Sequence, residues 1–523
     1  MRKALRRPSS GTNHRNAKRF LFGSSPIMDN NKIILWCDRV IRFSFCALIY
    51  FLPISIALVE IFSNITLVFF FIKRGVIFRL KLRESLRDGR RMDWPGKLKL
   101  FWSSFKPLKN DLNWPIAIFV FINFLSLVFS QDHTLSLQGF FFKLLQGVYL
   151  CFVFVDSFKN KKQVSVFLLV CLLAGTLIST SGVVQYVTGK DFIHGHGLMP
   201  DKRIVSSFRN SNDLAAYLVF LIPVVLILLL NVSALKEFIS QFVRRRSPGL
   251  AIFFPVWIWL FIVFILMYFC LGLTFVRGGW IAFFVSLIFL GWRNKKSLGF
   301  YFVVILVFLS VFHPRLLQVR RVALVSDDGG VSVKKGAKDS TPAVSGKSVA
   351  LLEGENQEEF LGGERQSHQK SFWGRAMALF EKCGGSGRSS FWKEPLLIIK
   401  DYPFLGVGIN TYSKEGMRYK ISWGGYPHNC YLQMAAETGM LGLLSFLGII
   451  VVIFKQTLKN FKRMRDDLLR WVMLGFLTGL LGFLTHIFFD TSFYSVQLGN
   501  MMWLLIGVII ALQKIGLETS ERE

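Results

Sequence analysis

Between Leu214 and Leu230, and again between Ala251 and Leu273, the chain has no charged side chain. Each run is long enough to cross a hydrocarbon core of about 30 Å. A soluble globular domain could not hide them. The 523 residues are 52% hydrophobic and include 54 phenylalanines, with a mean hydropathy of +0.44. Alternation is also missing. The runs are apolar all round, which disfavours a β-barrel, whose strands alternate. No internal repeat is evident.

Acidic residues are few: 32, against 63 lysines and arginines, for a net charge of +31. In a soluble protein that excess would point to nucleic acid. Here no nucleic-acid motif is present, and the basic residues sit in short loops between apolar runs. There they fix orientation and meet anionic headgroups. Membrane lipids are thus expected partners and nucleic acid is not. Cysteine is sparse, seven in all, without metal-ligand spacing. Cys37, Cys46, Cys151, Cys171 and Cys270 lie in or beside apolar runs as small packing residues. Cys383 and Cys430 share one long polar loop and could pair in an oxidising compartment.

What is present is a succession of apolar runs. They predict an all-α polytopic membrane protein of about 12 transmembrane helices, with one large loop on the outer, periplasmic or exterior, side. Residues 1–32 form a basic cytoplasmic tail, read as an uncleaved anchor because no small-residue cleavage site follows. Residues 33–313 hold the first part of the bundle. Phe43 to Ile72 is read as a tight hairpin around Pro53 and Glu60 to Asn64. A basic cytoplasmic segment at 73–113, with Trp94, Phe101, Trp102 and Phe105, suits the inner leaflet surface. Further spans are expected at Trp114–Ser130, Phe140–Phe158, Val164–Val187, Asn212–Asn231, Ala251–Leu273, Trp280–Trp292 and Leu298–His313. Residues 314–437 make the large loop, with 325–370 Gly-, Ser-, Lys- and Glu-rich and expected to be disordered. Within it, Trp392, Leu396 and Ile399 mark one face of a short helix over Ser390–Ile399. Spans at Met440–Phe454, Trp471–Phe489 and Leu498–Leu512 fill 438–513, and 514–523 is a cytoplasmic tail. Both termini fall inside, with every strongly basic short loop on one face.

Arginine on the outer face runs against that orientation rule. Arg277 lies in Thr274-Phe275-Val276-Arg277-Gly278-Gly279-Trp280, at the outer mouth between two spans. The glycines predict a tight turn and close approach of a ligand to the backbone. Arg203, Arg209 and Arg388 lie in outer loops, and together such side chains could offer guanidinium forks to a phosphate or diphosphate. His428 precedes an expected short helix, Asn429–Ala436. An imidazole, with an ordinary pKa of roughly 6.5, can accept a proton from a sugar hydroxyl. His194 and His196 form an H-x-H without an evident third ligand, so no metal is expected. Asp490, before Thr491 and Ser492, is read first as a helix cap and second as a partner for an outer arginine. Phe404-Leu405-Gly406-Val407-Gly408 contains a G-x-G in a turn, without the strand–helix context of a nucleotide site.

Several of these stretches, taken in order, resemble the O-antigen ligase and polymerase superfamily of bacterial inner-membrane proteins. They are Arg203 with Phe208-Arg209-Asn210-Ser211-Asn212-Asp213-Leu214, then Phe275 to Trp280, then Arg388 to Trp392 and Asp401 to Gly408. Pro427-His428-Asn429 through Glu437, Gly439 and Gly442 completes the series. The resemblance covers roughly Val164 to Leu512. It departs at Ser207, where glycine is usual, and at Arg209, where a small residue is usual. Which of Arg203 and Arg209 faces the substrate is left open.

The resemblance implies a GT-C-type glycosyltransferase at the periplasmic face, without cofactor, nucleotide sugar or metal. The donor would be an undecaprenyl-diphosphate-linked glycan, and the acceptor lipid A-core or another glycan. By position, Arg203 and Arg277 would hold the diphosphate, assisted by Arg209 and Arg388. His428 would activate the acceptor hydroxyl, with Asn429, Glu437 and Asp490 supporting. An O-antigen polymerase or a protein O-oligosaccharyltransferase would use a similar donor. A small-solute transporter for bicarbonate, the reading from another class, should show interrupted helices and mid-membrane charges in two repeated halves.

Overall fold

The computed structural model describes residues 30–88, 93–105, 111–243, 249–293, 295–312, 389–419 and 426–522. Arg388, Cys383 and the segment 325–370 lie outside them. The described residues are helical, with one isolated β-bridge between Lys190 and Gly197.

The helices are α1 (Asn30–Phe51), α2 (Ile56–Arg87), α3 (Trp94–Phe105), α4 (Asn113–Val128), α5 (His133–Gly139), α6 (Gln146–Ser157), α7 (Lys161–Thr188), α8 (Ser211–Leu230), α9 (Val232–Ser240), α10 (Leu250–Leu273) and α11 (Arg277–Arg293). They continue with α12 (Leu298–Phe312), α13 (Ser389–Asp401), α14 (Tyr412–Glu415), α15 (Cys430–Phe461), α16 (Asp467–His486) and α17 (Val496–Arg522). A π-turn, Phe140–Leu145, joins α5 to α6; nothing in the sequence announced it. Among the described residues each stretch read as a span lies largely in helix, and eight helices there are long and apolar enough to cross a membrane. Two shorter apolar ones are α4 and α12. The expected hairpin is present at Pro53, but α2 runs past Ile72 to Arg87, taking up the first part of the basic segment. The expected tail at 514–523 is likewise helical through Arg522, as part of α17.

Contacts divide the chain into two units, 1–41 with 68–106 and 42–67 with 107–523. In the first, Lys73 Nζ meets Asp38 Oδ1 at 2.6 Å, both side chains buried, and Arg74 donates to the Ser104 carbonyl at 3.1 Å. Trp94 and Trp102 of α3 stay largely exposed, as a surface-lying helix requires.

The second unit is organised around α8. Its residues Leu214 to Leu229 are all buried, so the uncharged run is a core helix. It packs against α16, α10 and α11. The approach of α16 depends on glycine. A Cβ at Gly479 would lie 2.3 Å from the Phe220 carbonyl oxygen, and one at Gly482 2.5 Å from Val219 Cγ1. Small residues at a crossing let the backbones close up where lipid offers no hydrophobic drive. At one end of this unit Lys161 reaches both Glu237 and Asp466, tying together the starts of α7 and α16 and the short α9. The site lies at the other end.

There α15 is broken at Gly439, which adopts φ 71°, ψ 178°, a region open essentially to glycine alone. The break frees backbone groups, and the Pro403–Gly408 turn takes them up. Met440 N donates to the Pro403 carbonyl at 2.8 Å, Val407 N to Ala436 at 3.0 Å and Gly408 N to Glu437 at 2.9 Å. The G-x-G is thus a brace for the kink, with Gly406 at φ 68° and Gly408 at φ 117°. A Cβ at Gly439 would sit 1.9 Å from the Phe404 carbonyl oxygen. Gly439→Ala is therefore expected to lose at least about 1–3 kcal/mol from strain alone, read as a lowered thermal midpoint in detergent. An unchanged midpoint would contradict this account of the kink.

Candidate functional site

The kink leaves Cys430 to Thr438 as a short helix of its own, the expected Asn429–Ala436 element. Asn429 caps it, its side chain accepting from Tyr431 N at 3.0 Å and Leu432 N at 3.1 Å. Tyr431 Oη donates to the Leu484 carbonyl at 2.8 Å, and Cys430 N to that of Ile487 at 2.9 Å. These bonds lash the helix start to the end of α16. The Cys430 Sγ donates to the Asp490 carbonyl at 3.1 Å, and its possible partner Cys383 lies outside the described residues.

His428 stands one residue before the cap, at φ 48°. Left-handed backbone is uncommon for histidine and is held here by the clamp on either side. Its Nδ1 lies 3.2 Å from Asp490 Oδ1. Phe391 of α13 stacks edge-on against the imidazole at 5.7 Å between centroids. The His428 side chain is 42% exposed, that of Asp490 only 9%. Asp490 also accepts from Asn212 Nδ2 at 3.0 Å and Ser492 Oγ at 2.5 Å. The sequence offered it as a helix cap or an arginine's partner; its carboxylate faces His428, Asn212 and Ser492. Burial opposes its charge. The His428 bond, the nearby His486 and the Ser492 hydroxyl outweigh that and hold its carboxyl below the ordinary range. The stabilisation from this shift is present above the usual carboxylate pKa and is lost as pH falls through the lower folded value.

The arginines divide. Arg277 is the exposed first residue of α11. Its two glycines lie in the first helical turn, and the positive φ of 51° falls on Phe275 instead. Their role is packing. A Cβ at Gly278 would meet Phe489 Cβ at 2.8 Å, and one at Gly279 would meet Ala215 Cβ at 2.9 Å. The start of α11 is thereby seated against the residue preceding Asp490. Arg209 is exposed and precedes Asn210, whose side chain caps α8 by accepting from Asp213 N at 2.7 Å. It stands three residues before Asn212, the partner of Asp490. Arg203 is bound to Asp201 within its own loop, although Ile204 N reaches the Leu273 carbonyl at 3.5 Å at the end of α10. Arg209 is thus the closer of the two in connectivity to the histidine–aspartate pair. Arg388 would directly precede α13.

Glu437 is not part of this group. It is 1% exposed, and its carboxyl accepts from Asn410 N at 2.9 Å, Gln433 Nε2 at 3.1 Å and Tyr412 N at 3.3 Å. It anchors the turn after the brace. His194 and His196 are also structural: Nε2 of the first lies 2.7 Å from the Ile54 carbonyl oxygen, and Nδ1 of the second 3.2 Å from that of Ser206. Asn212, Ser492 and Phe391 were assigned no role from the sequence. Asn212 lies in the Phe208–Leu214 stretch, but a hydrogen bond to a residue far along the chain leaves no local signal.

Fold and site together define a multi-pass helical membrane protein with a carboxylate-oriented histidine where several helix ends meet. Residues 262–447 match a family model described as O-Antigen ligase. The match spans Arg277 and His428 and supports the O-antigen ligase and polymerase superfamily, whose members are glycosyltransferase-like enzymes. Comparison with curated proteins finds no match.

Proposed function

We propose that the protein is an O-antigen ligase-like glycosyltransferase. It moves a glycan from undecaprenyl diphosphate to lipid A-core or a similar acceptor at the periplasmic face of the bacterial inner membrane. The observation that carries this reading is the His428–Asp490 hydrogen bond; Gly278, next to Arg277, packs on Phe489, the residue before Asp490. A bond from Nδ1–H to the carboxylate fixes the tautomer and leaves Nε2 as the free base. That nitrogen takes the proton of an acceptor hydroxyl as its oxygen attacks the anomeric carbon. The bond from that carbon to the diphosphate breaks, and negative charge grows on the leaving group. Arg277 and Arg209, joined by Arg203 and Arg388, stabilise that charge. Attack from the face opposite the diphosphate inverts the anomeric centre.

The test is an in vitro reaction of the purified protein with undecaprenyl-diphosphate-linked glycan and separate acceptors. Transfer to lipid A-core, with no elongation of the lipid-linked glycan, is expected. Elongation of the donor glycan instead would assign a polymerase, and transfer to serine or threonine a protein glycosyltransferase. No transfer to any acceptor would reject the reading.

A further inference from the structure

A cavity lies between α4, the π-turn, the short first half of α15 and the start of α17, with about 640 Å³ of empty space including its open mouth. Of the residues discussed above, Glu437 alone reaches it in any candidate role. Much of its wall is apolar, including Phe119, Met434 and Trp503. Its polar residues are bridged in series. Lys143, projected by the π-turn, donates through Nζ to Asn410 Oδ1 at 2.7 Å, and Asn410 N donates to Glu437. Gln433, Tyr412 and the Tyr494 hydroxyl also bond the Glu437 carboxyl, so it is engaged within the protein.

Two buried carboxamides are not. Asn500 is 4% exposed and lines the cavity, and its carboxamide has no hydrogen-bond partner among the described residues. Asn123, 1% exposed, donates to the Phe119 carbonyl at 2.8 Å, and its own amide oxygen has no partner there. Neither amide is among the occluded polar atoms without a partner, so both open onto the cavity, where whatever fills it, water or ligand, pairs them. Phe142 at the rim is 70% exposed, as expected where the opening faces lipid.

We infer that this cleft binds an uncharged, hydroxyl-bearing amphiphile: a sugar ring carried on an aliphatic stem. Hydroxyls both donate and accept, which suits Asn500 on both counts and gives Asn123 the donor it lacks. A fully ionised phosphate has no proton to donate to the Asn123 amide oxygen. A plain alkyl chain would leave both amides unmet. The apolar wall takes the stem and the ring's apolar face. This site does not depend on the transfer reading.

The experiment uses the full chain in lipid nanodiscs and an octyl β-glucoside bearing a photoreactive group in its alkyl stem, with the labelled peptides mapped by mass spectrometry. Label is expected on the segments carrying Phe142 and Trp503, displaced by octyl β-glucoside and not by octyl phosphate. Asn500→Leu should cut the labelling about tenfold, the worth of one lost buried hydrogen bond. Its thermal midpoint should not fall, since an unpartnered amide is replaced by an apolar group of similar size. Lys143→Met at the rim should also weaken labelling, and His428→Ala should leave it intact, which separates this site from the transfer chemistry. Labelling spread evenly over the lipid-facing helices, equal displacement by octyl phosphate, or undiminished labelling in Asn500→Leu would overturn the inference. So would a sharp fall in that variant's midpoint, which would reveal a structural partner for the amide.

Discussion

His428→Ala is expected to lower the transfer rate by about 10²- to 10⁴-fold, the usual contribution of a positioned general base. Donor binding should change little, because the imidazole acts on the acceptor. The side chain is 42% exposed, so its removal opens no cavity and the thermal midpoint should hold. Asp490→Asn should lose activity as well, by a different route. An amide can present its N–H₂ to His428 Nδ1, favouring the tautomer with the proton on Nε2 and removing the base. Ser492 would still donate to the remaining oxygen, while Asn212, which donates to the same oxygen as His428, would have to turn its own amide over. The measurement is initial rate against acceptor concentration for both variants. Full activity in both would exclude this histidine as the base and leave the bond at 3.2 Å a structural one.

Arg277→Lys should cost about 10²- to 10³-fold in rate, the scale found when one fixed donor to a developing anion is lost. Lysine keeps the charge but not the planar fork that binds two phosphate oxygens at once. A lysine that restored full rate would mean that charge alone suffices. The arginines should also rank. Arg277 is exposed next to Gly278, which packs on Phe489, and Arg209 is exposed three residues before Asn212, the partner of Asp490. Arg203 is already engaged by Asp201, and its lysine variant should lose least. Kinetics of the three single variants on one lipid-linked donor would decide the order. An Arg203→Lys loss matching that of Arg277→Lys would refute it.

Helix positions, the short helix over Ser390–Ile399 and its buried face of Trp392, Leu396 and Ile399 follow from the period and length of apolar runs alone. Those signals are local, and lipid leaves the backbone few choices but to bond within its own helix. Cap residues Asn210 and Asn429 are local in the same sense. His428 and Arg277 were legible as polar side chains at span ends. What tertiary structure alone decided is who meets whom. Asp490 turned out to serve His428 because Cys430 and Ile487 are clamped together. Gly278 and Gly279 serve packing because α11 lies hard against Phe489 and Ala215. Glu437 went to the brace at Asn410 and Tyr412. Each of these pairings joins residues far apart in the chain, and each depends on how closely two helices approach, a distance that no run of residues encodes by itself.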